Sequence, residues 1–230
     1  MIRPFKILLA ESDADLASIM KNYLVELGYP TRICTDGVSA MTCFKKEKID
    51  FLIANIDLPN LNGFDLVDVI RRNNKDLPIV FLGANVMHSD IIKGFNIGAD
   101  DFITSPFSME ELGLRIEAIK RRTQAREANR HIYQIGRYSF DTLHHVLIYK
   151  GREKKLTNKE LDLLFLFCEY KNRVVERHVA LKKVWNQENY FSARNMDVYI
   201  KRLRNMLSDD PNIRLENIHG VGYKLVVPNT

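Results

Sequence analysis

The sequence predicts an α/β first half, a five-stranded doubly wound sheet, with a second domain of different grammar behind it. Three observations predict this. Five short apolar runs, KILLA (6–10), TRICT (31–35), DFLIAN (50–55), PIVFLG (78–83) and DFIT (101–104), alternate with amphipathic segments. Near-continuous apolar strands separated by helices imply a parallel sheet covered on both faces. Charge then divides the chain. Residues 1–122 hold 15 Lys and Arg against 17 Asp and Glu, and the remainder holds 19 against 12. A near-neutral half joined to a basic half predicts two domains, the second facing a polyanion.

Each element has its own signal. In DADLASIMKNYLVELG, Leu16, Ile19, Met20, Tyr23, Leu24 and Leu27 recur at helical steps, and Gly28 stops the helix. SMEE (108–111) is a capping box that opens the last helix of the first domain. In KRRTQAREANR the apolar stripe is lost, so residues 123–132 are read as a linker between domains 1–122 and 133–230, with a helical extension as the alternative. Beyond it, YQIGRYSFD and HVLIYKG read as strands. TNKE (157–160) caps the apolar-striped helix LDLLFLFCEY. RHVALKKVW gives a shorter helix and residues 194–207 a third. IRLENIHGVGYKLVV closes the chain as a hairpin. Three helices and a terminal hairpin in a basic domain suggest a winged helix-turn-helix.

Composition narrows the classes further. The 230 residues are 46% hydrophobic and 27% charged, with net charge +5, as expected of a soluble globular protein. No run of 18 apolar residues is present, so no membrane span is expected. MIRPFKILLAESD turns acidic too early for a secretory signal. Cys34, Cys43 and Cys168 are an odd number without CxxC spacing, which reads as reduced thiols in a cytoplasm.

The third helix of the basic domain separates into two faces. At about 100° per residue, Met196, Tyr199, Ile200, Leu203, Met206 and Leu207 fall within an arc of roughly 120°. The opposite face centres on Arg194, Lys201 and Asn205, with Val198 among them and Asp197, Arg202 and Arg204 on its flanks. Arg can read guanine, Asn adenine, and Val can touch a thymine methyl, so this face suits a major groove. Asn195, Trp185 and His219 complete the candidate DNA-binding set.

In α/β sheets of the first kind, function sits at the carboxyl ends of the strands. Those ends are Glu11-Ser12-Asp13, Asn55, Gly83 and Thr104-Ser105-Pro106. Together with RNMDVYIKRLRNML and IHGVGYKL, the runs ILLAESD, DFLIANIDLPNLNGFDL, PIVFLGA and GADDFITSPFSMEEL resemble the OmpR/PhoB family of response regulators over nearly the whole chain. The resemblance implies a CheY-like receiver joined to a winged-helix domain in a cytoplasmic, non-enzymatic transcription factor. It implies a dimer on repeated promoter half-sites of double-stranded DNA, with a wing reaching the minor groove. His219 stands where the family often has Arg.

The resemblance also locates a phosphoacceptor, four residues before the loop Pro. Counting back from Pro59 gives Asn55, not Asp57. An amide cannot form an acyl phosphate. The acidic pair expected to hold Mg²⁺ reads Glu11-Ser12, with Asp13 beside it. The expected loop Lys is Ser105, and the expected hydroxyl at the end of the fourth strand is Gly83. Each such loss would remove about 2–4 kcal/mol of transition-state stabilisation. No metal or cofactor is therefore expected, and a sensor histidine kinase is disfavoured as a partner. Phe102 falls at the family's aromatic switch position.

The family's active dimer uses the fourth helix, fifth strand and fifth helix. By resemblance, Asp100, Asp101, Glu111 and Arg115 carry its salt bridges, and Ile91 replaces a basic residue. The leading reading is a phosphorylation-independent homodimeric regulator. The alternative is a conventional response regulator phosphorylated by a histidine kinase, with Asp57 as acceptor. A third reading, compatible with the first, makes the receiver a docking module for a regulator or for RNA polymerase.

Overall fold

A computed structural model of the chain describes residues 4–128, 132–185 and 190–228; the side chains of 122–128 and 190–195 lie outside that description. The chain divides into two compact units, residues 1–120 and 121–230.

The first unit follows the predicted alternation. Strands β1 (Ile7–Ala10), β2 (Thr31–Cys34), β3 (Phe51–Asn55), β4 (Ile79–Gly83) and β5 (Asp101–Thr104) alternate with helices α1 (Ala14–Glu26), α2 (Gly37–Lys46), α3 (Gly63–Asn73), α4 (His88–Ile97) and α5 (Met109–Ala128). The strands form one sheet in the order β2-β1-β3-β4-β5, and every adjacent pair is parallel. β1 and β4 are buried along their whole length, as strands covered on both faces must be. Ile7, Leu9, Ile53, Val80 and Ile103 meet Met20 and Leu24 of α1 and Leu112 and Ile116 of α5 in one core. Burying side chains of this size contributes about 1.5–3 kcal/mol each.

Local chemistry sets the ends of these helices. Asp13 caps α1 through the amides of Asp15 and Leu16. Gly28, at φ 85°, adopts the left-handed turn that follows α1. The Ser108 hydroxyl accepts from the Glu111 amide at 3.0 Å. α5 runs on to Ala128, so most of the expected linker is helical, whereas residues 129–131 of it lie outside the described residues.

The second unit holds more strands than the sequence predicts. β6 (Ile132–Ile135), β7 (Tyr138–Asp141), β8 (Val146–Tyr149) and β9 (Arg152–Lys155) form an antiparallel sheet. YQIGRYSFD folds back on itself at Gly136, and HVLIYKG ends in a second positive-φ turn, Lys150-Gly151, that leads into β9. Helices α6 (Asn158–Glu169), α7 (Arg177–Trp185) and α8 (Tyr190–Met206) follow. β10 (Val174–Glu176) pairs with β12 (Gly222–Val226), which also pairs with β11 (Arg214–Ile218). These elements form a winged-helix domain, and β11–β12 is its wing.

The arc predicted for α8 faces inward. Met196, Tyr199, Ile200, Leu203 and Leu207 are buried, and Met206 is half-buried. The helix starts at Tyr190, earlier than the apolar pattern suggests.

Candidate functional site

The parallel register brings Glu11, Asn55 and Gly83 to one end of the sheet. Ala10 pairs with Ala54, Asn55 with Leu82, and Gly83 with Thr104. Glu11 is 1% exposed. A buried carboxylate needs donors, and here Asn55 provides one: its Nδ2 lies 3.0 and 2.9 Å from the two Glu11 oxygens. The Asp13 amide adds a third contact at 3.0 Å. Asn55 Oδ1 accepts from the Asp57 amide at 2.9 Å, so both ends of the Asn55 amide are engaged. Asp57 itself is exposed at the start of the loop.

A divalent cation does not fit this arrangement. The atom facing Glu11 is an NH2 group, which donates and cannot ligate. Asp13 Oδ1 already accepts two amides of α1. Ser12 is exposed. Among the described residues, no three His, Cys, Asp or Glu side chains are grouped to hold a metal.

The rest of the pocket is apolar. A Cβ placed on Gly83 would lie 2.5 Å from Val86 Cγ2 and 3.0 Å from Ile56 Cδ1. A hydroxyl-bearing side chain therefore has no room there unless Val86 moves. Ile56 and Val86 are functional neighbours that motif matching passes over, because their effect is one of volume. Ser105 is exposed, and its amide donates to Gly83 O at 2.9 Å. Phe102 is buried, its ring centroid 5.7 Å from that of Phe81.

Two residues of the expected dimer face are corrected. Asp100 is 3% exposed. Its Oδ2 accepts from the Ile79 amide at 2.8 Å and pairs with Arg71 at 3.3 Å. It holds β4 and β5 to α3 from inside the first unit. Ile91 lies on the buried side of α4 and adds no apolar surface. Asp101, Glu111 and Arg115 stay at the surface. There Arg115 bridges Asp101 (2.6 Å) and Glu111 (2.6 Å) within one chain. Burial works against the Arg115 charge, but Asp101 and Glu111 outweigh it and hold the guanidinium pKa above its ordinary value.

In the second unit, α8 presents Lys201 and Asn205 to solvent, with Val198 half-exposed. The Arg194 and Asn195 side chains lie outside the described residues. Three other members of the predicted set are placed differently. Trp185 is buried at the end of α7, its ring 5.8 Å from that of Tyr199. Its size and apolar ring put it in the helical core. Arg202 pairs at 2.9 Å with Glu160, whose side chain is 3% exposed. Glu160 also accepts from the Thr157 amide at 2.8 Å, closing the α6 cap. Arg204, though exposed, donates through Nε to Leu215 O in β11 at 2.8 Å.

A further contact ties the wing to α8. Tyr223 Oη donates to Asp197 at 2.6 Å, and Arg177 reaches both, at 2.9 Å to Tyr223 and 2.8 Å to Asp197. Burial works against the Asp197 charge, but bonds from Arg177 and Tyr223 outweigh it and lower the pKa. Sequence spacing could not have grouped these three. His219 is exposed at the tip of the wing, next to Gly220 at φ 72°.

An α/β unit followed by a winged helix defines a class, the DNA-binding transcriptional regulators with a receiver domain. Residues 7–117 match the response regulator receiver domain, and residues 151–225 match the C-terminal domain of transcriptional regulatory proteins. The chain is 44% identical over 229 residues to the transcriptional regulatory protein RprY of Bacteroides fragilis, covering 99% of this chain and 97% of that protein. It is 29% identical over 225 residues to the response regulator SaeR of Staphylococcus aureus, covering 95% and 96%. Among solved structures, a point mutant of RitR superposes with TM-score 0.74 at 25% identity, over 96% of this chain and 98% of that one. DrrB of Thermotoga maritima, an OmpR/PhoB homologue, gives 0.52 at 25%, over 97% and 100%. The chain belongs to the response regulators of OmpR/PhoB type. No described helix is long and apolar enough to cross a membrane.

Proposed function

We propose that this chain is a cytoplasmic regulator that binds promoter DNA as a homodimer without phosphoryl transfer. One observation carries the reading: the Asn55 amide bonds both oxygens of the buried Glu11. An aspartate there would set two carboxylates about 3 Å apart, tolerable only with a bound cation or a shared proton. Asn55 satisfies Glu11 with neither, so the pocket is complete in its resting form.

On this reading Lys201, Asn205 and Val198 face the major groove, and His219 approaches the minor groove. Arg202 and Arg204 hold the recognition helix to its own domain. Asp101, Glu111 and Arg115 form the face offered to a second copy, and RNA polymerase contacts follow from promoter binding.

Selection of bound DNA by untreated protein tests this, with oligomeric state measured alongside. The expected result is one operator, bound by a dimer with equal affinity before and after incubation with acetyl phosphate. Operator binding that appears only after phosphorylation would overturn it. Label retained by wild type and lost in Asp57→Asn would establish the conventional reading instead.

A further inference from the structure

Cys34 closes β2 and Cys43 lies two turns into α2, yet their sulfur atoms are 3.2 Å apart. All three cysteines of the chain are free thiols. We propose that Cys34 and Cys43 form a reversible disulfide under peroxide, with Cys43 as the attacking thiol.

The two sulfurs differ in access. Cys34 is 5% exposed. Cys43 is half-buried and lines an open cavity of about 750 Å³ together with Arg32, Ser39, Thr42, Lys46 and Glu47. A small oxidant therefore reaches Cys43 first.

Their surroundings differ in the same direction. The Cys43 sulfur shares its cavity with the Arg32 guanidinium, and the Cys34 thiol donates to it. Burial, and then the proton shared with Cys43, push the Cys34 thiol up to about 12. Cys34 is the residue that waits.

The chemistry balances with hydrogen peroxide as the only co-reactant. The Cys43 thiolate attacks one peroxide oxygen, the O–O bond breaks, and the departing hydroxide takes up a proton as water. Cys43 is then a sulfenic acid. The Cys34 sulfur attacks the Cys43 sulfur, the S–S bond forms and the S–O bond breaks. The leaving hydroxide takes the Cys34 proton as a second water. Two thiols lose two electrons and two protons in all, and one peroxide is reduced. A sulfenic acid with a thiol already in contact closes to the disulfide before a second peroxide can overoxidise it.

The site adjoins the receiver pocket. The Cys34 carbonyl accepts from the Glu11 amide at 3.0 Å. Cys168 is the internal control, a lone thiol in α6 that burial pushes up to about 12.

The test uses the full chain, stoichiometric hydrogen peroxide, and maleimide labelling after denaturation. Cleavage after Arg32 and Lys45 releases residues 33–45, which carry both cysteines in one peptide. That peptide should lose two hydrogens and escape labelling, while Cys168 stays labelled and dithiothreitol reverses the change. Oxidation of the pair should outpace that of Cys168 by at least about tenfold. In Cys34→Ser, Cys43 should stop at a sulfenic acid that dimedone traps. Both cysteines still labelled, a sulfinic acid on Cys43 in wild type, or equal rates at Cys43 and Cys168 would each overturn the proposal. The wild-type peptide decides the matter even if the variant fails to fold.

Discussion

Each half of the molecule buries a glutamate, and the two are neutralised differently. Glu160 in the winged helix sits beneath the Arg202 guanidinium and the Thr157 amide. Among the described residues, Glu11 in the receiver meets the neutral Asn55 amide and one backbone N–H. The first is a full ion pair that fixes α8 to α6. The second is a polar site closed on itself, in a place where the family's chemistry would put a cation and a second acid. A buried carboxylate can thus be satisfied by a cation, as Glu160 is, or by neutral donors, as Glu11 is.

The contrast can be broken at several points. The largest effect is expected from Arg202→Ala, which strands Glu160 without its cation. The winged-helix domain should lose about 2–4 kcal/mol in urea unfolding. If Arg202 were a base reader instead, stability would hold and the selected operator would lose preference at one position.

Asn55→Asp sharpens the other half. Two carboxylates would face each other in the Glu11 pocket, and the receiver should lose about 1–3 kcal/mol at neutral pH in EDTA. The loss should shrink in acid as one carboxyl protonates, read as unfolding midpoints across pH. Full stability of this variant in EDTA would show that Glu11 does not depend on an amide donor.

Lys201→Ala tests the exposed side of α8. Affinity should fall by about 1 kcal/mol for all sequences alike, and the slope of log K against log salt should flatten by about one. An unchanged slope would remove Lys201 from the phosphate contacts.

The smallest effect concerns pH. Asp197 has a lowered pKa, so its stabilisation is complete above the ordinary carboxylate range and is lost as pH falls through the lower folded value. Asp197→Asn should melt below wild type at pH 5, and the gap should narrow as pH drops past the usual 3.8. Its pair with Arg177 is about half exposed, so the difference in Tm is expected to be small. A gap that widens in acid would reverse the sign of the argument.

The sequence by itself determined what repeats along a chain. Apolar runs placed all five receiver strands within a residue or two, and 3.6-residue periodicity identified the buried side of α8 through Tyr199, Ile200 and Leu203. Periodicity works because burial of apolar surface is the main driving force and follows from position along the element. Tertiary structure decided what each polar side chain touches. Arg202 and Lys201 are neighbours on one helix, yet one is captured by Glu160, 42 positions earlier in the chain, and the other is exposed. Asp100 and Ile91 read as surface residues from the family pattern and are buried, one against Arg71 and the other on the inner side of α4. The Gly83 pocket is filled by Val86 and Ile56, and Cys34 meets Cys43 across a turn. Pairing and volume are properties of space, and residues distant in sequence acquire them only when the chain has packed.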